Sequence, residues 1–322
     1  MIVRFFASAT RAYFTNERSE YEFELPRILS KDRTISEFLH DGGEGIKLSS
    51  PLGEPFASRL SRALRWPEVF EKLFVDQQDS VSVFEIPSLF SSIPFHYLLF
   101  SVERNNDNRL WQSIAGSGTS WCYRVDRERL SEPLLLSRHL ELARVGVFIG
   151  APKISDSDEQ QIFAEVQQFI ASIESRCEIY SDLNGQNIGQ MGEFDVFIYF
   201  GHSSSEQIEL TIQGLNAEEF AIWALERGIS LVLLICCEGA IPHLTEGTNS
   251  FVEALTGLGM AVVACQTTPH PRLAGGFLEL LLPRLLHFQR ISLRSMIELV
   301  CTAEVPQDAS AWFPSMFSLF LP

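Results

Sequence analysis

Cysteine is scarce in this sequence, with six residues in a chain of 322. Their spacing is too irregular for the disulfide framework of a small secreted domain. No CxxC pair and no spaced pair of histidines accompanies them, which argues against a zinc site. We expect reduced thiols and no metal. The six are Cys122, Cys177, Cys236, Cys237, Cys265 and Cys301.

A long uninterrupted apolar run is also missing. The N-terminal stretch MIVRFFASATRAYF is too soon interrupted for a secretory signal. The run AGGFLELLLPRLL is broken by Glu279, Pro283 and Arg284, and it falls short of the roughly 20 residues needed to cross a bilayer. We therefore expect a soluble, cytoplasmic protein that does not act at a membrane.

Basic residues are outnumbered by acidic ones. The chain has 25 Lys and Arg against 41 Asp and Glu, which gives a formal net charge of -16. This excess of acid would repel phosphates, so it argues against nucleic acid or an anionic membrane surface as a partner. A basic peptide partner would fit the charge, but we favour a plain solvated acidic surface.

Apolar residues are plentiful, at 46% of the chain, and they suffice for a sizeable core. From residue 144 onward, short apolar segments alternate with helical patterns. This order predicts an α/β fold with a mostly parallel sheet and helices on both faces. The predicted strands are VGVFI (145–149), CEIY (177–180), FDVFIYF (194–200), LVLLIC (231–236) and MAVVAC (260–265), and the predicted helices span 158–175, 217–227, 250–258 and 272–289.

The start of the chain predicts a β-rich N-terminal extension. IVRFFASATRAYF and YEFEL are rich in aromatic and β-branched residues and predict two strands with a turn at 16–19. The polar, glycine-bearing stretch 40–50 predicts a linker. We therefore divide the chain into an extension at 1–46 and a main domain at 47–322, whose core spans 144–290. The extension is either a docking module or a set of edge strands of the main sheet, and we favour edge strands.

Two reactive residues follow predicted strands at the carboxyl end, where sites gather in parallel sheets. His202 follows FDVFIYF through Gly201, and Cys237 directly follows LVLLIC. If the crossover 217–227 makes these strands neighbours, their ends lie about 5 Å apart. A thiol attacks as thiolate and a nearby imidazole can take its proton, so the pair suits nucleophilic catalysis. A buried cysteine and a structural histidine are the alternative, which the spacing alone favours.

Five segments carry a resemblance to a known family. They are YFGHS (199–203), LLICCEGA (233–240), EGTNSFVEALTGLGMAVVAC (246–265), IPFHYL (93–98) and AWFPSMFSLFL (311–321). Their order and spacing resemble the CHAT family of caspase-like cysteine proteases, within the clan of caspases, separases and gingipains. The resemblance covers about residue 47 to the C-terminus, and it implies a caspase-like fold.

The resemblance implies a role for each residue of these motifs. The family's nucleophile directly precedes a glutamate, so it corresponds to Cys237 before Glu238, and Cys236 takes the preceding small, packed position. His202 corresponds to the base. The oxyanion is held by the backbone N–H groups of Cys237 and Ser203, although Ser203 stands where the family usually has glycine. No metal or organic cofactor is implied.

The substrate pocket is less well defined by the sequence. The two aspartates after the first core strand could bind a basic side chain before the cut or begin a helix, and we favour capping for Asp158. Lys153 would instead select an acidic residue, so this preference stays open. Loop histidines such as His243 and His270 are most simply surface residues. The pocket candidates are Asp156, Asp158, Glu238, Gln266 and His270.

The resemblance implies a cysteine endopeptidase that cleaves a specific protein partner by a Cys–His dyad. It also implies a regulated effector in bacterial defence or programmed cell death. The loop 239–249 lies just after the nucleophile, and we expect a partner, such as an activating sensor protein, or a second ligand to order it. The alternative is a catalytically inactive caspase-like module that holds a peptide in the same cleft. A nucleotide- or flavin-binding domain is disfavoured, because the turn GAPKISDSDE has no GxGxxG or P-loop pattern.

Overall fold

The structure is a computed structural model that describes part of the chain. The described residues are 1–7, 11–24, 61–62, 64–74, 81–87, 90–91, 93–98, 100–104, 108–112, 114–125, 136–150, 152, 156–173, 177–181, 192–202, 207–208, 215–236, 250–266, 271–304 and 317–322.

The helices and strands follow the alternation that the sequence predicts. The strands are β1 (Ile2–Ala7), β2 (Arg11–Thr15), β3 (Glu20–Glu24), β4 (Val81–Ile86), β5 (Phe100–Arg104), β6 (Asn108–Gln112), β7 (Ser120–Val125), β8 (His139–Glu141), β9 (Val145–Ile149), β10 (Cys177–Ser181), β11 (Val196–Phe200), β12 (Gln207–Ile208), β13 (Leu215–Asn216), β14 (Leu231–Ile235), β15 (Ala261–Cys265), β16 (Arg290–Ser292) and β17 (Phe317–Leu321). The α-helices are α1 (Trp66–Leu73), α2 (Ser157–Ser172), α3 (Ala217–Glu226), α4 (Phe251–Gly257), α5 (Pro271–Leu285) and α6 (Leu293–Glu304).

One large sheet organises the molecule. In the described part of the chain it has 11 strands, in the order β10-β9-β11-β14-β15-β17-β7-β4-β1-β2-β3. Neighbouring strands in this sheet are parallel, except for the antiparallel pairs β15–β17, β1–β2 and β2–β3. The predicted α/β fold with a mostly parallel sheet is confirmed, and it is consistent with a caspase-like fold.

The N-terminal strands form one edge of this sheet. β1 pairs in parallel with β4, and β2 and β3 extend the sheet beyond it. The expectation of edge strands is confirmed. The predicted division between residues 46 and 47 lies outside the described residues. The sequence predicts a single strand in place of β1 and β2. The reason is that no glycine, proline or asparagine in the sequence marks a break between them.

Helices cover both faces of the sheet at its centre. β11 and β14 are buried at every residue, as expected for strands packed on two sides. Phe197 of β11 contacts Phe220 and Trp223 of α3, whereas Phe200 contacts Phe163 of α2. Side chains three apart in a strand point to opposite faces, so α3 and α2 lie on opposite sides. The predicted two-sided cover is confirmed.

The described cysteines form no disulfide with one another. Cys177 is half-buried, and the other four are buried: Cys122, Cys236, Cys265 and Cys301.

Within the described residues, every helix is too short or too polar to cross a membrane.

Candidate active site

The carboxyl ends of three parallel strands meet at one rim of the sheet. β11 pairs with β14 so that Phe200 lies beside Ile235, and the ladder continues from the Gly201 N–H to the Ile235 carbonyl at 3.3 Å. On the other side, the Gly150 N–H after β9 donates to the Phe200 carbonyl at 2.8 Å. The prediction that the strands before His202 and Cys237 are neighbours is therefore confirmed.

The imidazole of His202 is held by two residues of α2. Its Nε2 atom lies 2.5 Å from Oε1 of Glu159, and its ring stacks on Phe163 with 5.8 Å between centroids. Residues four apart in a helix share one face, so α2 presents the carboxylate and the phenyl ring together. The Glu159 side chain is only 7% exposed and that of His202 19%, so water screens this contact weakly.

The start of α2 fixes the position of Glu159. Asp156 is the N-cap residue, and its Oδ1 accepts the N–H groups of Asp158 at 3.1 Å and Glu159 at 3.0 Å. The helix therefore begins one residue earlier than predicted, and the prediction that Asp158 caps it is wrong. Both aspartates are exposed at the helix start beside Glu159, and a role for them in a substrate pocket stays a prediction.

The carboxylate of Glu159 determines how the histidine ring is protonated. An ionised carboxylate can only accept a hydrogen bond, so Nε2 of His202 carries the proton and donates it. The Nδ1 atom is then the nitrogen that can receive a proton. Nothing in the described part of the chain hydrogen-bonds to Nδ1. An imidazole held in this way can act as a general base through Nδ1.

The structure describes only part of the predicted site. Cys236 is buried directly after β14, which confirms the expectation that it is a packed thiol. The predicted nucleophile Cys237 lies outside the described residues. The same holds for Ser203, Glu238, His243, His270, Lys153 and the loop 239–249. Of the predicted dyad, the described residues therefore include only His202, the predicted base, together with its partner Glu159.

Gln266 does not line a pocket. Its side chain is fully buried after β15, and its Nε2 donates to the carbonyls of Ser91 at 2.9 Å and Ile93 at 3.0 Å. Its Oε1 accepts the Ser318 hydroxyl at 3.2 Å. Through these contacts the amide of Gln266 connects the end of β15 to the segment after β4. The prediction that Gln266 lines a substrate pocket is therefore wrong.

Glu159 was not among the residues that the sequence predicts for the site. The apolar stripe of α2 includes Ile162, Phe163 and Val166, and Glu159 continues that stripe one turn toward the helix start. A carboxylate on the buried face of an amphipathic helix is unusual unless it has a partner. That position, rather than any motif, is the signal that could have found it.

A metal site is not evident in the described part of the chain, where no three His, Cys, Asp or Glu side chains group closely enough to bind an ion. No protein-family model matches the chain. No curated protein is significantly similar to it in sequence.

Proposed function

We propose that this protein is a cysteine endopeptidase of the caspase-like type, similar to the CHAT family, with Cys237 as nucleophile and His202 as base. The supporting observation is the position of His202. It lies just past β11, at the rim shared with the end of β14, and its Nε2 is bonded to buried Glu159. The ring therefore has one nitrogen fixed and the other available as a base.

The register of the two strands supports Cys237 rather than Cys236 as the nucleophile. Phe200 and Ile235 are paired, so both side chains point to the face covered by α2. Cys236 then points away from α2 and is buried. From the alternation of strand residues alone, we expect the side chain at position 237 to point to the side of α2, where the imidazole lies.

In the proposed reaction, Nδ1 of His202 takes the thiol proton of Cys237 and the thiolate attacks the peptide carbonyl carbon. The backbone N–H groups of Cys237 and Ser203 stabilise the oxyanion that forms. When the C–N bond breaks, His202 returns the proton to the leaving amine and a thioester remains. His202 then activates water, which hydrolyses the thioester and restores the thiol. Glu159 stabilises the imidazolium in both steps, and no cofactor takes part.

The proposed substrate is a specific protein partner, and the proposed setting is a regulated effector in bacterial defence or programmed cell death, within the cytoplasm. Support for this comes from the CHAT resemblance. In this proposal an activating sensor protein acts through the segment 239–249, which follows the nucleophile in the sequence, because segments beside a nucleophile often regulate access to it.

A proteome-derived peptide library tests the proposal. The purified protein is incubated with the library, and new N-termini are identified by mass spectrometry. We expect cleavages that disappear in Cys237→Ala and His202→Ala and persist in the matched control Cys236→Ala. Cleavage that survives in Cys237→Ala would refute the assignment.

Thiol labelling separates an enzyme awaiting its activator from an inactive module. A free cysteine thiol is about 1% ionised at pH 6.5, so iodoacetamide alkylates it slowly. We expect Cys237 to be alkylated about tenfold faster at this pH than in His202→Ala, because the imidazole stabilises the thiolate. Equal rates, with no cleavage of the library, would favour the peptide-binding module instead.

A further inference from the structure

The Tyr199 hydroxyl donates a hydrogen bond to the backbone carbonyl of His202, at 2.5 Å. Tyr199 is fully buried in β11, three residues before the histidine, and its ring stacks on Phe148 of β9 with 5.9 Å between centroids. The Tyr199 side chain therefore links the interior of the sheet to the main chain just beyond the rim.

A glycine at position 201 leaves room for this hydroxyl. A Cβ atom at Gly201 would lie 2.8 Å from the hydroxyl oxygen of Tyr199 and 2.9 Å from Cζ. A Cβ atom at Gly150, after the neighbouring strand, would lie 3.5 Å from the same oxygen. The first distance is too short for any side chain, so glycine at 201 is a condition for the hydroxyl to reach His202.

His202 is thus fixed from both faces of the sheet. Its side chain is held by Glu159 and Phe163 on the α2 side. Tyr199 adjoins Phe200 in the strand, so it points to the opposite face and holds the main chain from there. Restraining the ring and the backbone independently sets where Nδ1 lies relative to the rim, and reaction rates are sensitive to displacements of that size.

The same contact acts on the next peptide unit. A peptide bond is planar, so the direction of the His202 carbonyl also sets the direction of the N–H on the other side of that bond. This N–H belongs to residue 203, and the proposed function uses it for the oxyanion. One hydroxyl can therefore orient both the base and an oxyanion donor.

We propose that Tyr199 is a positioning residue of this site, which aligns His202 and the following N–H through its hydroxyl. This inference rests on the proposed function. It predicts that Tyr199→Phe impairs the chemistry while the ring continues to fill its place in the core. A residue with only a structural role would change the unfolding temperature and leave the reactivity of Cys237 in the folded protein unchanged.

The test measures alkylation of Cys237 by iodoacetamide at pH 6.5 and pH 9.5, read by mass spectrometry, in the full-length folded protein. The variants are Tyr199→Phe, His202→Ala and the matched control Tyr123→Phe, which removes another fully buried hydroxyl, one bonded to His96. We expect Tyr199→Phe to lose about fivefold or more of the wild-type rate at pH 6.5 and none at pH 9.5. Tyr123→Phe should keep the wild-type rates.

Gly201→Ala is the second variant, for use if Tyr199→Phe does not fold. It crowds the hydroxyl of Tyr199 while the ring stays in place, and it should show the same loss of alkylation rate.

The outcomes are distinct. Wild-type rates in Tyr199→Phe, with His202→Ala slow, overturn this inference and leave the proposed function standing. Equal rates in wild type and His202→Ala, with no cleavage of the library, overturn the proposed function, and this inference with it. For any library peptide that the protein cleaves, Tyr199→Phe should lower kcat about tenfold with KM unchanged, as expected for a contact that matters in the transition state.

Discussion

The Glu159 carboxylate and the His202 imidazole lie 2.5 Å apart, although 43 positions separate them in the chain. Glu159 lies in the first turn of α2, and His202 lies two residues after the end of β11. Both side chains are largely shielded from water. A carboxylate in this place fixes the imidazole tautomer and stabilises the imidazolium that a general base becomes.

Glu159→Gln should therefore impair catalysis more than folding. The amide can donate a hydrogen bond to Nε2, which favours the wrong tautomer, and it no longer neutralises the imidazolium. We expect kcat for a cleaved library peptide to fall by about 10–100-fold with KM unchanged.

Glu165→Gln is the matched control for this change. Glu165 lies on the same helix, is exposed and bonds to Gln161. It should leave kcat unchanged. If Glu159→Gln retained full kcat, the role of the carboxylate would be limited to packing.

His96 should make stability depend on pH. Burial lowers the pKa of His96 well below 6.5. Its Nδ1 bonds to the Tyr123 hydroxyl at 2.6 Å, and its ring faces those of Trp121 and Tyr97. Below about pH 6.5 the unfolded chain gains a proton that the folded protein does not. The free energy of unfolding should therefore decrease as the pH is lowered, by up to about 1.4 kcal/mol per pH unit.

Urea unfolding of wild type and His96→Gln between pH 7 and 5.5 measures this contribution. The slope of unfolding free energy against pH should be smaller in the variant. His287→Gln, at an exposed position, is the control and should keep the wild-type slope. Parallel curves for wild type and His96→Gln would show that His96 takes up its proton equally in both states.

The buried amide of Gln266 should matter for stability. Gln266→Leu leaves the Ser91 and Ile93 carbonyls and the Ser318 hydroxyl without this partner. Unsatisfied buried polar groups are costly, so we expect the free energy of unfolding to fall by about 3 kcal/mol. Urea titration checks this against Gln161→Leu, an exposed glutamine bonded to Glu165, which should change it by less than about 0.5 kcal/mol. Similar small losses in both variants would contradict the structural role.

The central strands could be predicted because their signal is local. VFIYF and LVLLI are apolar at every position, and the helices between them have an apolar stripe, so their type and approximate bounds follow from the sequence. The capping residue of α2 was missed by two positions. Aspartates at 156 and 158 are equally good caps by composition, and only the backbone path decides between them.

The sequence by itself determined that apolar strands alternate with helices and that His202 follows one of those strands after a single glycine, since both depend on the order of neighbouring residues. Only the tertiary structure decided that Glu159 meets His202, that Tyr199 holds the histidine backbone and that Gln266 is buried. These contacts join residues of separate elements or depend on side-chain direction at the sheet rim. They form only when packing of the whole sheet and its helices brings the elements together, and no local pattern encodes that arrangement.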